Sequence, residues 1–233
     1  MTSPLAAIIF DVDGTLAETE ETHRAAFNRA FAEAELEWCW SEDAYRALLT
    51  TTGGRERIAR DMLEQGTTPD PALVAALHAR KNIIYAGLVA SGSITPRPGI
   101  LSLIDDARAR GIRLAIATTT SRSNLSALLA HGFAPDAESW FAAIVAGEDV
   151  ERKKPHPEVY LRALHRLSLA PASCIAIEDS RNGLEAALVA GLTTVITPSH
   201  YSRGETFDGA ARIIDLSADA GSLTVEALAA ILR

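Results

Sequence analysis

Apolar residues follow two regimes along the chain. From residue 96 onward, short apolar runs alternate with amphipathic stretches. Residues 5–10, 112–117, 141–146, 174–177, 192–196 and 211–214 read as strands, each a brief apolar run stopped by polar or glycine residues. Helical spacing fills 100–110, 123–131, 157–167, 181–190 and 223–232, with Gly111, Gly132 and Gly191 as stop signals. Strands alternating with helices predict a parallel sheet covered on both faces. Residues 17–93 break the alternation. Helical periods run through 18–31, 44–50, 55–64 and 71–89, Asp70-Pro71 supplies a cap and a first-turn proline, and no strand pattern intervenes. The prediction is an α/β fold: a Rossmann-like parallel-sheet core, residues 1–16 and 94–233, with an all-helical cap subdomain, residues 17–93, inserted after the first strand. The hinges fall near 15–18 and 93–99.

Composition narrows the partners. With 233 residues and 48% hydrophobic content the chain can bury a full core. A net charge of −8 argues against nucleic acid, which demands clustered Lys and Arg. It also repels anionic substrates at long range, so phosphate binding would need local cations or a divalent metal. No apolar stretch approaches the ~18 residues that span a membrane. The opening apolar run lacks preceding basic residues and leads straight into Asp11, unlike a signal peptide. Cys39 and Cys174 have neither metal-ligand spacing nor a disulfide framework. The expectation is a cytoplasmic monomer without nucleic-acid or membrane partners.

The predicted strand ends carry the chemistry. In a parallel sheet all C-terminal ends share one edge. That edge collects Asp11 and Asp13 from the first strand, Thr118 after the second, Lys154 in the loop after 141–146, and Glu178 with Asp179 after 174–177. Taken singly, these read as helix caps, an exposed loop lysine and a solvated acidic turn. Together they supply a nucleophile, an acid/base, a hydroxyl donor, a cation and metal ligands for phosphoryl transfer. Four carboxylates converging on one edge repel each other without a cation, and Mg²⁺ suits oxygen ligands of this kind.

Asp11-Val12-Asp13-Gly14-Thr15, Thr118, Lys154 and Glu178-Asp179 resemble, in order, the four motifs of the haloacid dehalogenase superfamily. The resemblance covers the whole chain, including a helical cap inserted after the first motif. It implies that Asp11 attacks phosphorus to form an aspartyl-phosphate and that Asp13 serves as acid and base. Thr118 and Lys154 then hold the transferring group. Asp11, the Asp13 backbone carbonyl, Glu178 and Asp179 surround Mg²⁺, and one of the last two acts through water.

Recognition falls to the cap. Gly53-Gly54 followed by Arg55 suits a second phosphate, although a turn with solvated arginines explains the same residues. Residues 17–20, the run 50–58, and Tyr201-Ser202-Arg203 with Glu205 and Phe207 resemble the CbbY proteins. That resemblance implies hydrolysis of xylulose-1,5-bisphosphate to xylulose-5-phosphate. Glu20, His23, Arg55 and Lys81 would contact the sugar or its distal phosphate, helped by Thr119 and Thr120. His23, Arg55 and Lys81 equally match β-phosphoglucomutases. A phosphosugar mutase, or a phosphatase for another small ester such as phosphoglycolate, therefore stays open.

Overall fold

The computed structural model describes residues 5–92 and 94–232. Ser93, at the predicted hinge, lies outside the described residues, as do residues 1–4 and 233 of the predicted core. Six strands form one sheet: β1 (Ala7–Phe10), β2 (Arg113–Ala117), β3 (Ala143–Val145), β4 (Cys174–Glu178), β5 (Thr193–Ile196) and β6 (Arg212–Ile213), in the order β3-β2-β1-β4-β5-β6. Every pairing is parallel, with Phe10 level with Ile116 on one side and Ile177 on the other. Parallel strands buried on both faces need apolar residues at every position, and β1 is buried throughout. Its alternation splits the core into two layers. Ile8 and Phe10 join Ile100, Leu103 and Leu125 on one face, while Ala7 and Ile9 join Val159, Tyr160 and Ala163 on the other.

Between β1 and β2 the chain forms α1 (Glu20–Glu33), α2 (Glu42–Leu48), α3 (Gly54–Glu64), α4 (Pro71–Ala90) and α5 (Ile100–Ala109). Asp70 caps α4 by accepting from Ala72 N–H at 2.9 Å, with Pro71 in its first turn. The first four helices share an apolar cluster of Phe27, Phe31, Trp40, Tyr45, Ile58 and Met62, into which Tyr201 inserts from beyond β5. Trp40 is thus part of this core. The chain enters and leaves this helical block at neighbouring points, because Ala17 forms an antiparallel bridge with Pro96.

The remaining helices are α6 (Arg122–Leu128), α7 (Glu158–Leu167), α8 (Arg181–Val189), α9 (Leu216–Asp219) and α10 (Val225–Ile231). The helix expected over 123–131 stops at Leu128. Ala134 N–H then reaches back to Leu129 C=O at 3.0 Å, so the last turn is wound as a π-turn over Leu129–Phe133. The strand expected over 141–146 shrinks to Ala143–Val145, because the edge strand β3 pairs with β2 alone. Among the described residues no helix is long and apolar enough to cross a membrane.

Candidate active site

Strand order decides which side chains meet. β1 lies between β2 and β4, so the loops after all three open at one edge of the sheet. Asp11 follows β1, Thr118 follows β2, and Glu178 with Asp179 closes β4. Lys154 lies in the loop before α7, and its Nζ donates to Asp11 Oδ1 at 2.5 Å, Glu178 Oε1 at 2.6 Å and Ala117 C=O at 2.9 Å. It is 4% exposed and Glu178 is fully buried. Burying one ammonium between two carboxylates is tolerable only because each of its three donors has an acceptor.

Glu178 has no free face. Oε1 also accepts from Tyr160 O–H at 2.5 Å, while Oε2 accepts from Asp179 N–H at 3.1 Å. Its carboxylate fits because position 183 has no side chain: a Cβ there would lie 2.0 Å from the Glu178 carboxyl carbon. Gly14 makes the same kind of room. Its φ of +80° suits glycine, and a Cβ would meet Asp179 Oδ2 at 2.3 Å.

Electrostatics sort the acids. Burial pushes the Asp11 carboxyl up to about 8; Lys154 pulls it down, while Glu178 and Asp13 add to the rise. Burial also lifts Asp179 well above the usual range, reinforced by the charges of Glu178 and Asp11 and eased by a hydrogen bond from Ser199. Asp13 behaves oppositely. Burial works against its charge, yet His23, Thr19 and Lys81 hold it far below an ordinary carboxylate. Its Oδ1 accepts from Thr19 O–H at 2.6 Å and lies 3.0 Å from His23 Nε2. His23 Nδ1 lies 2.7 Å from Lys81 Nζ. Burial and the Lys81 charge lower the His23 pKa, so the imidazole is neutral, donating to Asp13 and accepting from Lys81.

Ligand atoms of Asp11, Glu178 and Asp179 lie within 4.8 Å of one another. Three buried carboxylates, two of them with pKa values driven up by burial and then by one another's charge, form a donor set that fits a divalent cation. The Asp13 carboxylate is instead engaged with Thr19 and His23, which leaves its backbone for any role beside that cluster.

A cavity of about 500 Å³ separates this cluster from the helical block. Asp11, Asp13, Thr118 and Lys154 line it on one side, and Glu20, His23, Arg55 and Lys81 on the other, with Thr119 and Thr120 at its wall. Of the catalytic, metal-binding and substrate-binding residues expected from the sequence, all except Glu178 thus border one space, whereas Arg203 and Phe207 of the 201–207 motif do not. Glu20 Oε2 accepts from Tyr45 O–H at 2.7 Å, and Tyr45 in turn accepts from Arg57 at 2.9 Å. Tyr45, Tyr160, Gly183 and His78 were not expected at the site, and Arg57 was expected only as part of the run 50–58. Tyr160 and Tyr45 sit at apolar helical positions and read as core. Only His78 carried a signal, a histidine close before Arg80-Lys81, and burial beside Lys81, Arg55 and Lys153 depresses its pKa to about 3.

The sheet, the helical insertion and the four ordered motifs define one class of enzyme, and the family comparison agrees: residues 5–191 match the haloacid dehalogenase-like hydrolase model. The chain belongs to that family. Within it, the chain is 54% identical over 217 residues to Protein CbbY of Rhodobacter capsulatus, covering 93% of this chain and 96% of that one. The crystal structure of CbbY from Rhodobacter sphaeroides with phosphate superposes with a TM-score of 0.91 at 47% identity, covering 96% of this chain and 99% of that one. A mutant of the same protein, crystallised with xylulose-(1,5)-bisphosphate, gives a TM-score of 0.88 at 49% identity, covering 91% and 94%.

Proposed function

We propose that the chain is a Mg²⁺-dependent phosphosugar phosphatase that converts xylulose-1,5-bisphosphate to xylulose-5-phosphate and phosphate. In this reading residues 1–16 and 94–233 are the catalytic core, and residues 17–93 are a cap that encloses the substrate. The observation that carries it is the Asp11–Lys154–Glu178 arrangement, a nucleophilic carboxylate fixed by a buried ammonium beside the Asp179 carboxylate. The CbbY mutant seen with that bisphosphate, at 49% identity, supports the choice of sugar.

Asp11 and Asp179, with the Asp13 carbonyl, would hold Mg²⁺, which when bound supplies positive charge between the nucleophile and the anionic phosphoryl group. Glu178 completes that site from behind, its own oxygens taken by Lys154, Tyr160 and the Asp179 N–H. The Asp11 carboxylate attacks phosphorus, the P–O bond to the sugar breaks, and Asp13 delivers a proton to the departing sugar oxygen. Water then attacks the phosphorus of the aspartyl-phosphate while Asp13 takes its proton, which releases phosphate and restores Asp11. The ionised Asp13 described above suits this second step. For the first step it needs a proton. Lys81, brought down to about 7 chiefly by burial, can pass one along His23. Lys154 and the Thr118 hydroxyl meet the transferring phosphoryl oxygens. Glu20 and His23 face the sugar, and Arg55, with Lys81, Thr119 and Thr120, takes the distal phosphate.

The two free cysteines, Cys39 and Cys174, suit a reducing cytoplasm, and the reading treats the enzyme as a monomer. Phosphate release with Mg²⁺ from xylulose-1,5-bisphosphate, β-glucose-1-phosphate, fructose-1-phosphate and phosphoglycolate tests the proposal. Preference for the bisphosphate, with one phosphate released per molecule, is expected. Conversion of β-glucose-1-phosphate to its 6-phosphate without net release would replace the phosphatase by a mutase.

A further inference from the structure

Arg97 does not border the catalytic cavity, yet it touches the backbone on both flanks of the acidic cluster. Its side chain is 5% exposed. Nη1 donates to Gly14 C=O at 2.5 Å, Thr197 C=O at 2.7 Å and Thr197 Oγ1 at 3.2 Å, and Nη2 donates to Pro198 C=O at 2.6 Å. Nε pairs with Glu18 Oε1 at 3.2 Å.

Each carbonyl acceptor belongs to a segment that carries a site acid or packs directly on one. Gly14 directly follows Asp13 and packs so closely on Asp179 that no side chain fits between them. Thr197 N–H donates to Glu178 C=O at 2.7 Å, and Pro198 precedes Ser199, whose side chain abuts the Gly14–Asp179 contact and whose hydroxyl favours the ionised Asp179. The same residue spans the crossing into the helical block. Arg97 N–H donates to Leu16 C=O at 2.9 Å, Pro96 bridges Ala17, and Glu18 also accepts from His200 N–H at 3.3 Å.

We propose that Arg97 is the positioning residue of the acidic cluster: its guanidinium gathers the Gly14, Thr197 and Pro198 carbonyls, sets Asp179 through Ser199 against the Asp11–Gly14 loop, and ties that spacing to the hinge through Glu18. This rests on the reading above that the cluster holds a divalent cation. A planar fork of donors does what a lysine cannot, because an ammonium keeps the charge but offers no fixed pattern of parallel bonds. The charge alone is therefore insufficient, and geometry is the function.

The test is Mn²⁺ titration followed by electron paramagnetic resonance of the free ion, on wild type, Arg97→Lys, Arg97→Gln and Ser199→Ala, with melting curves and steady-state kinetics on each. Outer-shell partners of metal ligands typically contribute about 10–100-fold to affinity. Arg97→Lys should weaken Mn²⁺ binding by at least about tenfold on that scale. Its kcat should fall in parallel, with the KM for the sugar phosphate unchanged. If both Arg97 variants fail to fold, Ser199→Ala carries the test, since it removes the hydroxyl that bears on Asp179 from the segment Arg97 holds and leaves Arg97 in place. A folded Arg97→Lys, or in its absence Ser199→Ala, that binds Mn²⁺ as tightly as wild type overturns the proposal and leaves Arg97 a packing residue. Wild type that binds no Mn²⁺ overturns the metal reading as well.

Discussion

Replacing Lys154 by methionine isolates the electrostatic core of the site. Methionine keeps most of the side-chain volume and removes all three donors, so Asp11 loses its charged partner and Glu178 keeps Tyr160, the Ser180 hydroxyl and the Asp179 N–H. Breaking a buried ion pair on one side costs about 3–5 kcal/mol when the abandoned charge stays ionised. Here part of that cost is escaped by protonation. Asp11 already sits near 8 with Lys154 beside it, and loses the group that pulls it down. At neutral pH that carboxyl already holds its proton in the metal-free protein and keeps it in the variant, so the stability loss should lie at the lower end, about 3 kcal/mol. The loss should grow from pH 7 to pH 9, because wild-type Asp11 ionises near 8 beside Lys154 while the variant's carboxyl stays protonated and the variant goes on losing stability as pH rises. The escape is costly for catalysis, since a protonated Asp11 is no nucleophile and the phosphoryl group loses a fixed cation. Loss of one preorganised donor of this kind costs about 10²–10³ in kcat. Urea unfolding in EDTA at both pH values gives the first quantity, and phosphate release with saturating Mg²⁺ gives the second. A variant with an unchanged urea midpoint, or with kcat within about threefold of wild type, a difference of well under 1 kcal/mol, would refute the reasoning.

Asp11→Asn should abolish phosphate release while keeping the fold. Because the folded carboxyl sits at about 8, above its ordinary 3.8, metal-free wild type loses stability as pH rises between those values. The asparagine variant should therefore gain in relative Tm from pH 4 to pH 8, and a difference independent of pH would count against this. Gly183→Ala forces a methyl group against the Glu178 carboxylate. It should cost about 1–3 kcal/mol of stability, seen as a lower Tm, together with reduced kcat; a fully active variant of wild-type Tm would contradict the packing described. Dialysis against EDTA should stop phosphate release, Mg²⁺ should restore it, and added Mg²⁺ should raise Tm more at pH 8 than at pH 5.5, because protons compete for the same carboxylates. Turnover that persists in EDTA would remove the metal from the account.

How much of this was legible beforehand depends on the range of the interaction. Strands such as Cys174–Glu178 announce themselves because burial on both faces demands an unbroken apolar run, and Asp11 and Glu178 stand out as polar groups at the ends of such runs. Asp70-Pro71 marked the start of its helix to the residue, since capping is local chemistry. The π-wound turn after Leu128 was not legible, because Gly132 signals a stop without saying how the preceding turn closes. Nor was the short helix Leu216–Asp219, which one Asp215 cap holds in a polar stretch. Glu178 was placed correctly at the acidic edge, but its partner Tyr160 sits on the apolar face of its own helix and looks like any core aromatic. Arg97 lay in a Pro-Arg-Pro-Gly turn that resembles a linker, and its acceptors lie far away in sequence. Contacts of that length leave no periodicity to read.

The bridge between Ala17 and Pro96 has a consequence for how such enzymes diversify. Exit and re-entry lie side by side, so everything between them is a cassette whose two ends already meet. A lineage can exchange or remodel that cassette by recombination without altering the order of a single strand. If the helical block recognises substrate as proposed, recognition and bond-breaking can drift at different rates, and novelty in substrate should collect between residues 18 and 95 while the rest of the gene stays conservative.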